Sequence, residues 1–196
     1  MGAGIASVTL EPTTNNKWGC IFIDDKDGII VTGNDVTLYA LFAEHYQEYE
    51  VLWLGERGRT FFFQNEPPYD PPNQEAWSSQ DGRVEGYASF KVGNFINEHH
   101  SKGFGSYAVF TGTDGNVNKR NAFEVPNNPK VKIEKMCTTR FSGSGNISNV
   151  VNQTGCSTAE GVQRISEYND DQGIEPFDEQ FDLPDKESWP YYMEWE

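Results

Sequence analysis

The stretch VTLYALFAEHYQEYEVLWLGERGRTFFFQNEPPYDPP, residues 36–72, decides the fold of this chain. Apolar or alternating runs at residues 36–42, 50–54 and 60–64 predict strands. The polar, glycine-bearing segment 55–58 predicts a turn. About three short strands in roughly every twenty residues suit the coils of a parallel β-helix, although a β-sandwich would produce a similar pattern.

The same pattern continues on both sides of this stretch. Turn signals, for example at residues 27–28 and 81–82, separate further short runs. These runs predict strands at residues 20–23, 29–32, 87–92, 106–111, 121–125, 131–136 and 147–151. The chain is therefore predicted to be all-β, with parallel rungs stacked through about residue 150 around aromatic and β-branched side chains.

The net charge of −15 over 196 residues restricts the class of partner. Nucleic acids and anionic membrane surfaces are bound by clustered Lys and Arg, so neither is expected as a partner. No apolar run in the sequence approaches the roughly 20 residues of a membrane-spanning helix. A neutral or cationic ligand is expected instead.

The acidic charge is concentrated after the predicted strands. Residues 167–196 hold eleven Asp and Glu against the single Lys186, which gives a net charge of −10. We therefore divide the chain into a β-helix portion, residues 1–160, and an acidic aromatic tail, residues 161–196. Aromatic residues such as Trp189 stand among the acids of the tail and favour docking onto a surface; partial disorder is the alternative.

Neither the cysteines nor the histidines show the spacing of a metal or cofactor site, and neither a metal nor a cofactor is expected. Among the three cysteines, Cys137 and Cys156 are predicted to form a disulfide, because the 18 residues between them allow a return to a neighbouring coil. His99 and His100 are interpreted as part of a solvated loop.

Glu44 and Glu66 are the candidate catalytic residues. They are 22 residues apart, and if one coil has about that length they lie on adjacent rungs, about 4.8 Å apart in backbone spacing. Stacked carboxylates repel each other, which raises the pKa of one and keeps it protonated near neutral pH, as a general acid requires. The alternative is that both are solvent-exposed glutamates at strand ends.

Residues 36–72 resemble the second, C-terminal β-helix of glycoside hydrolase family 55-like exo-β-1,3-glucanases, in the pectate-lyase-like β-helix superfamily. The motifs that carry the resemblance are EHY at residues 44–46 and QNEPPYDPP at residues 64–72. It extends over about residues 18–155, with further matching blocks at residues 86–92, 103–107 and 121–126. The resemblance implies a partial, right-handed parallel β-helix.

Members of this family release glucose or short products from the ends of β-1,3-glucan with inversion of configuration. The resemblance implies that Glu66 is the general acid and that Glu44 is a second carboxylate of the pocket. It also implies that an N-terminal β-helix, as a segment or a separate chain, completes the site. The alternative is a non-catalytic extracellular β-helix that binds carbohydrate or serves in structural assembly.

The expected ligand is β-1,3-glucan or a related neutral polysaccharide. Sugar rings stack on aromatic side chains, so Tyr69 and Trp77 are predicted to form pocket walls, with His45 as a further substrate-binding residue. Replacing Trp77 by alanine is expected to weaken glucan binding with little loss of stability. Sequons at residues 146–148 and 152–154 favour secretion weakly, and an extracellular location is expected.

Overall fold

The computed structural model describes residues 26–111 and 117–168, together with the backbone of residues 5–10 and 21–23. Strands dominate this part of the chain. They are β1 (Ile5–Leu10), β2 (Ile21–Ile23), β3 (Ile29–Val31), β4 (Thr37–Glu44), β5 (Val51–Trp53), β6 (Gly58–Asn65), β7 (Val84–Glu85), β8 (Phe90–Val92), β9 (His99–Phe110), β10 (Lys119–Glu124), β11 (Val131–Gly143), β12 (Ile147–Val151) and β13 (Gln163–Tyr168). A short helical turn, α1 (Ser79–Gly82), and a 3-10 turn at Thr158–Glu160 complete the described elements.

The chain alternates between two six-stranded sheets. One has the strand order β1-β4-β6-β9-β11-β13 and the other β12-β10-β8-β5-β3-β2. Strands from successive coils pair in parallel, whereas the edge pairs β1–β4, β11–β13 and β2–β3 are antiparallel. The prediction of an all-β chain with parallel rungs is confirmed, and the sandwich, whose sheets are antiparallel, does not fit. The right-handed sense of the coil stays a prediction.

Coil length sets which residues stack. Ile29 pairs with Val51, so the first full coil is 22 residues long. The next coil is longer, because Gly58 pairs with His99, 41 residues further on. The extra residues belong to the segment 66–89, which runs between β6 and β8. This insertion supplies much of the candidate site.

The long strands β4, β6, β9 and β11 share an irregularity at one position. The backbone is left-handed at Ala40, Phe62, Gly103 and Lys135, with φ of 51°, 67°, 80° and 55°. The pairing on either side places these four residues in one column across the rungs. A single left-handed residue bends a strand in the manner of a β-bulge. Each long strand therefore bends at the same position of its coil.

Aromatic rings fill the interior between the two sheets. The ring of Phe104 lies 4.8 Å from Phe90, 5.2 Å from Phe63 and 5.3 Å from Phe123, measured between centroids. Trp53 stacks on Phe90 at 5.9 Å. All five rings are buried, which confirms the predicted aromatic core. Rings at these separations contribute more than their buried area alone.

The interpretation of His99 as a solvated loop residue is wrong. His99 is the first residue of β9, and its side chain is fully buried. Its ring packs edge-on against Trp53 at 4.9 Å, and its Nε2 lies 2.6 Å from the hydroxyl of Ser101. Successive side chains of a strand point to opposite faces, so His100 is directed outward, where it pairs with Glu134 at 2.9 Å.

The predicted disulfide between Cys137 and Cys156 is also wrong, since both thiols are free. Cys137 lies on β11, next to Arg164 of β13. Burial raises the pKa of the Cys137 thiol, and a hydrogen bond and the charge of Arg164 act in the opposite direction. Cys156 lies after β12, is exposed, and forms no disulfide with Cys137. Cys20 lies outside the described residues.

The sheet continues past residue 160. Strand β13 pairs antiparallel with β11, from Ile133 opposite Tyr168 to Thr138 opposite Gln163. The proposed boundary between residues 160 and 161 stays a prediction. Docking of the tail concerns residues 169–196, which lie outside the described part of the chain.

Within the described residues, no helix has the length and apolarity needed to cross a membrane.

Candidate active site

Glu44 and Glu66 lie at one edge of a sheet, where two neighbouring strands end. Glu44 is the last residue of β4, and Glu66 directly follows β6. The N–H of His45 donates a hydrogen bond to the C=O of Glu66 at 2.9 Å, which joins the two rungs at this point. Both glutamate side chains are partly exposed. The 22-residue coil thus brings the two carboxylates onto adjacent rungs, and their catalytic roles stay predictions.

Glu44 has a less favourable environment for a charge than water offers. Burial raises the pKa of Glu44 above its usual range, and the neighbouring Glu66 raises it further. The charge of His45 and a hydrogen bond from Gln64 act in the opposite direction. A raised pKa extends the pH range in which this carboxyl retains its proton.

Tyr69 connects the insertion to the carboxylates. Its hydroxyl donates a hydrogen bond to Oε2 of Glu66. This bond, followed by burial and the charges of Glu66 and Glu44, raises the pKa of Tyr69 to about 12. The ring of Tyr69 also meets the ring of His45 edge-on, at 4.4 Å between centroids. Tyr69 is therefore a neutral hydrogen-bond donor at physiological pH.

The turn that carries Tyr69 is held by proline and by the end of β9. Pro67 and Pro71 flank Tyr69 and are buried. The C=O of Tyr69 accepts a hydrogen bond from the N–H of Thr111 at 2.9 Å. Proline restricts its own φ and the conformation of the residue before it, so the backbone after Glu66 has little freedom.

A cavity of about 770 Å³ opens beside these residues. All three predicted substrate-binding residues, His45, Tyr69 and Trp77, line it, whereas Glu44 and Glu66 do not. The remaining lining residues described are Lys26, Gln47, Glu48, Pro68, Asp70, Pro71, Pro72, Ala76, Tyr87 and Thr111. This volume lies in the range of small-molecule sites, and its aromatic and proline surfaces suit a neutral ring with apolar faces.

Trp77 contributes to the core as well as to the cavity. Only 4% of its surface is exposed. Its ring packs against Phe110 at 5.5 Å, and its indole N–H donates to the C=O of Gln47 at 2.9 Å. This burial argues against the expectation that truncation of Trp77 costs little stability, and we expect a larger loss. Its role as a pocket wall stays a prediction.

Sequence reasoning missed Tyr87 as a cavity residue. Tyr87 lies in the insertion, and its ring meets that of Tyr49 at 5.3 Å. Tyr49 in turn lies 5.5 Å from the ammonium group of Lys91, measured to the ring centroid. The pattern around Tyr87 only predicted a strand, because its proximity to the cavity depends on the length of the insertion.

A protein-family model described as the LAM55 pectate lyase-like domain matches residues 11–66. The parallel coils and this match show a similarity to the class of pectate-lyase-like β-helices.

The chain is similar to an exo-β-1,3-glucanase of Streptomyces sp. (strain SirexAA-E / ActE), with 36% identity over 132 residues. That match covers 67% of this chain and 21% of the glucanase. It also resembles the structure of sacteLam55A from Streptomyces sp. SirexAA-E, with a TM-score of 0.69 and 33% identity. A variant of sacteLam55A in complex with glucose gives a TM-score of 0.68 and 32% identity.

These comparisons confirm the resemblance to the second β-helix of family 55-like exo-β-1,3-glucanases. Each of the two structural matches covers 73% of this chain and 26% of the other chain. The chain thus spans about a quarter of the length of the proteins it matches.

Proposed function

We propose that this chain carries the general acid, Glu66, of an inverting glycoside hydrolase that acts on β-1,3-glucan. One observation carries the proposal: a chain similar to an exo-β-1,3-glucanase places two carboxylates on adjacent rungs beside an aromatic cavity. The bond between Tyr69 and Glu66 supports the assignment of the acid, because it fixes one carboxylate oxygen. The other oxygen, Oε1, is then the one that delivers the proton to the glycosidic oxygen.

Glu44 has a supporting role in this proposal. An inverting pair of carboxyls is typically about 6.5–9.5 Å apart, so that a water molecule fits between one carboxylate and the sugar. Adjacent rungs are separated by only about 4.8 Å of backbone. Glu44 therefore supports the site beside Glu66, and the group that positions the attacking water is supplied by another part of the complete enzyme.

An N-terminal β-helix, as a segment or a partner chain, is proposed to provide that part. The fraction of each relative that this chain covers, 21% to 26%, supports the need for a further segment. We propose an extracellular site of action, because an insoluble neutral polysaccharide is degraded outside the cell.

The same incomplete coverage favours a second candidate function. A chain without the water-positioning group would bind a glucan without cleaving it. It would then act as a non-catalytic, extracellular carbohydrate-binding or structural assembly subunit.

The test joins this chain to the N-terminal β-helix that its gene or a co-purifying chain supplies. The complete protein should hydrolyse laminarin, a soluble β-1,3-glucan, and NMR should show the inverted anomer first. Glu66→Gln should reduce kcat by about 10²–10⁴-fold with retained laminarin binding, because Gln keeps the shape but has no proton to deliver.

Glu75→Gln is the matched control, since Glu75 is exposed on the same insertion and should leave kcat unchanged. Glu44→Gln should lower kcat less than Glu66→Gln does. Laminarin binding without hydrolysis would favour the second candidate function. Full activity of the Glu66 variant would overturn the assignment of the acid.

A further inference from the structure

Five buried polar residues form a cluster inside the coil, beneath the two carboxylates. Glu50 and Lys119 are each 1% exposed, and Asn65, Ser89 and Ser106 are fully buried. They come from five different segments: Glu50 precedes β5, Asn65 ends β6, Ser89 precedes β8, Ser106 lies in β9, and Lys119 begins β10. We call these residues the internal polar cluster.

Hydrogen bonds connect most of the internal polar cluster. Ser89 and Ser106 both donate to Oδ1 of Asn65, the latter at 2.6 Å. The hydroxyls of Ser89 and Ser106 lie 2.9 Å apart. The ammonium group of Lys119 donates to the hydroxyl of Ser89. Two serine hydroxyls thereby fix the side chain of Asn65.

The charges in the internal polar cluster are costly to bury. Burial raises the pKa of Glu50 well above its usual value, and Lys119 is the largest influence in the opposite direction. Burial lowers the pKa of Lys119 to about 7, against the attraction of Glu50 and then Glu124. Replacing such a pair with apolar residues of similar size is often neutral or stabilising, so stability alone does not account for it.

Each end of the internal polar cluster contacts a segment that carries a candidate catalytic residue. Oε2 of Glu50 accepts a hydrogen bond from the N–H of Tyr46 at 3.4 Å, two residues after Glu44. The residue between them, His45, has a left-handed φ of 67°, which a non-glycine residue adopts only when its surroundings hold it there. At the other end, Asn65 directly precedes Glu66.

We infer that the internal polar cluster positions the Glu44–Tyr46 turn and Glu66 from inside the coil, with Glu50 and Asn65 as its two points of attachment. These are positioning residues, because they are buried and act through the backbone of the Glu44–Tyr46 turn and of Glu66. The inference rests on the proposed function only for what the positioned residues do. The positioning itself is measurable in this chain without any substrate.

The main test compares the wild-type full chain with the double variant Glu50→Met/Lys119→Met by NMR. The apolar pair keeps the volume and removes both charges, so the fold should be retained. The N–H of Tyr46 loses its acceptor, and its hydrogen exchange should accelerate by at least about tenfold relative to the core strands. The ring resonances of His45 should shift, because the ring of Tyr69 lies 4.4 Å away and its orientation depends on this turn.

Rescue distinguishes positioning from packing. In Glu50→Gln/Lys119→Met the glutamine retains an oxygen acceptor, so protection of the Tyr46 N–H should return at least in part. Thr60→Val is the matched control: Thr60 is another buried polar residue of β6, and its hydroxyl has no hydrogen-bond partner. This control should leave the Tyr46 and His45 signals unchanged.

A second variant covers the case in which the double methionine variant does not fold. Ser89→Ala removes one small hydroxyl that links Lys119 to Asn65. It should accelerate exchange of the His45 N–H, which is bonded to the C=O of Glu66 at 2.9 Å. Unchanged exchange and ring resonances in a folded variant would overturn the inference. In the completed enzyme, positioning predicts a loss of kcat with little change in KM; absence of all hydrolysis in the wild type would contradict the proposed function only.

Discussion

Folding places the carboxyl group of Glu44 where its charged form is disfavoured. Its pKa is raised in the folded chain by burial and by Glu66. The folded state therefore binds a proton more tightly than the unfolded state, and stability falls as pH rises through the interval above the usual value of 4.5. Below that interval both states are protonated, and the cost disappears.

Glu44→Gln is expected to stabilise the chain at pH 7 and to have no such benefit at pH 3. The gain should be below about 1 kcal/mol, because solvent screens a partly exposed group. Urea unfolding of this chain at both pH values measures the difference. Glu75→Gln, a change of an exposed carboxylate, is the control and should not reproduce the pH dependence. A destabilised Glu44 variant at pH 7 would show that favourable contacts of the carboxylate outweigh its cost.

Truncation of the buried Trp77 side chain is predicted to lower the stability of the chain. Trp77→Ala should lower the free energy of unfolding by about 3–5 kcal/mol, as for other buried large aromatic residues. Trp77→Phe retains most of the packing on Phe110 but loses the hydrogen bond to Gln47, so its loss should be smaller. Chemical denaturation measures both variants. Equal stability of the alanine variant and the wild type would contradict the buried position.

At the level of individual residues, spacing predicted part of the site. The distance of 22 residues between Glu44 and Glu66 placed them correctly on neighbouring rungs, because the coil between them has no insertion. The burial of Trp77 and Lys119 was not predictable in this way. Trp77 lies within the insertion of the longer coil and Lys119 lies after it, so the position of each depends on the length of the insertion.

Strand β9 shows why two adjacent polar residues can mislead a prediction of secondary structure. The sequence His99-His100 is typical of an exposed loop, yet the first ring packs inside against Trp53 and the second lies outside. An alternating pattern of two residues is too short to predict a strand. The strand is predictable only at residues 106–111, which contain a run of four consecutive apolar residues, 107–110.

The burial of His99 predicts acid sensitivity. Burial lowers its pKa to about 3 from the usual 6.5. Between these values the unfolded state binds more protons than the folded state, so stability is lost as pH falls through this window, by up to about 1.4 kcal/mol per pH unit.

His99→Phe should remove this part of the acid sensitivity, because phenylalanine does not titrate. It should cost about 1–3 kcal/mol near neutral pH, since the hydroxyl of Ser101 loses its partner. His100→Phe, on the outer face, is the matched control and should keep the slope of stability against pH below 6.5. Unfolding curves from pH 3.5 to 7.5 measure both. An unchanged slope in the His99 variant would contradict a neutral, buried imidazole.

At the scale of the whole molecule, the successive coils differ in length and do not form a strict repeat. Equivalent residues are 22 apart in the first full coil, 41 apart in the next and 32 apart between His99 and Val131. An all-β class was predictable because each short strand carries its own apolar pattern and turn signals. The parallel order was less certain, since unequal coils conceal the period that distinguishes a β-helix from a sandwich.

The edge of the sheet formed by β11 and β13 provides a test of the predicted boundary at residue 160. Strand β11 is thirteen residues long, and β13 covers its edge. Ile165 of β13 is buried, and Glu167 pairs with Lys132 at 3.0 Å. Without β13, the backbone N–H and C=O groups along this edge would be open to pairing with another chain.

A chain truncated after residue 160 is therefore expected to self-associate and to lose stability relative to a chain truncated after residue 168. The longer truncation retains β13 and is the matched control for removal of the remaining tail. Sedimentation at several protein concentrations measures association, and urea unfolding measures stability. The shorter chain should show concentration-dependent association, because an uncovered edge strand pairs with its equivalent in a second molecule. Identical sedimentation and unfolding of the two truncations would instead support the boundary at residue 160 and make β13 dispensable for the coil.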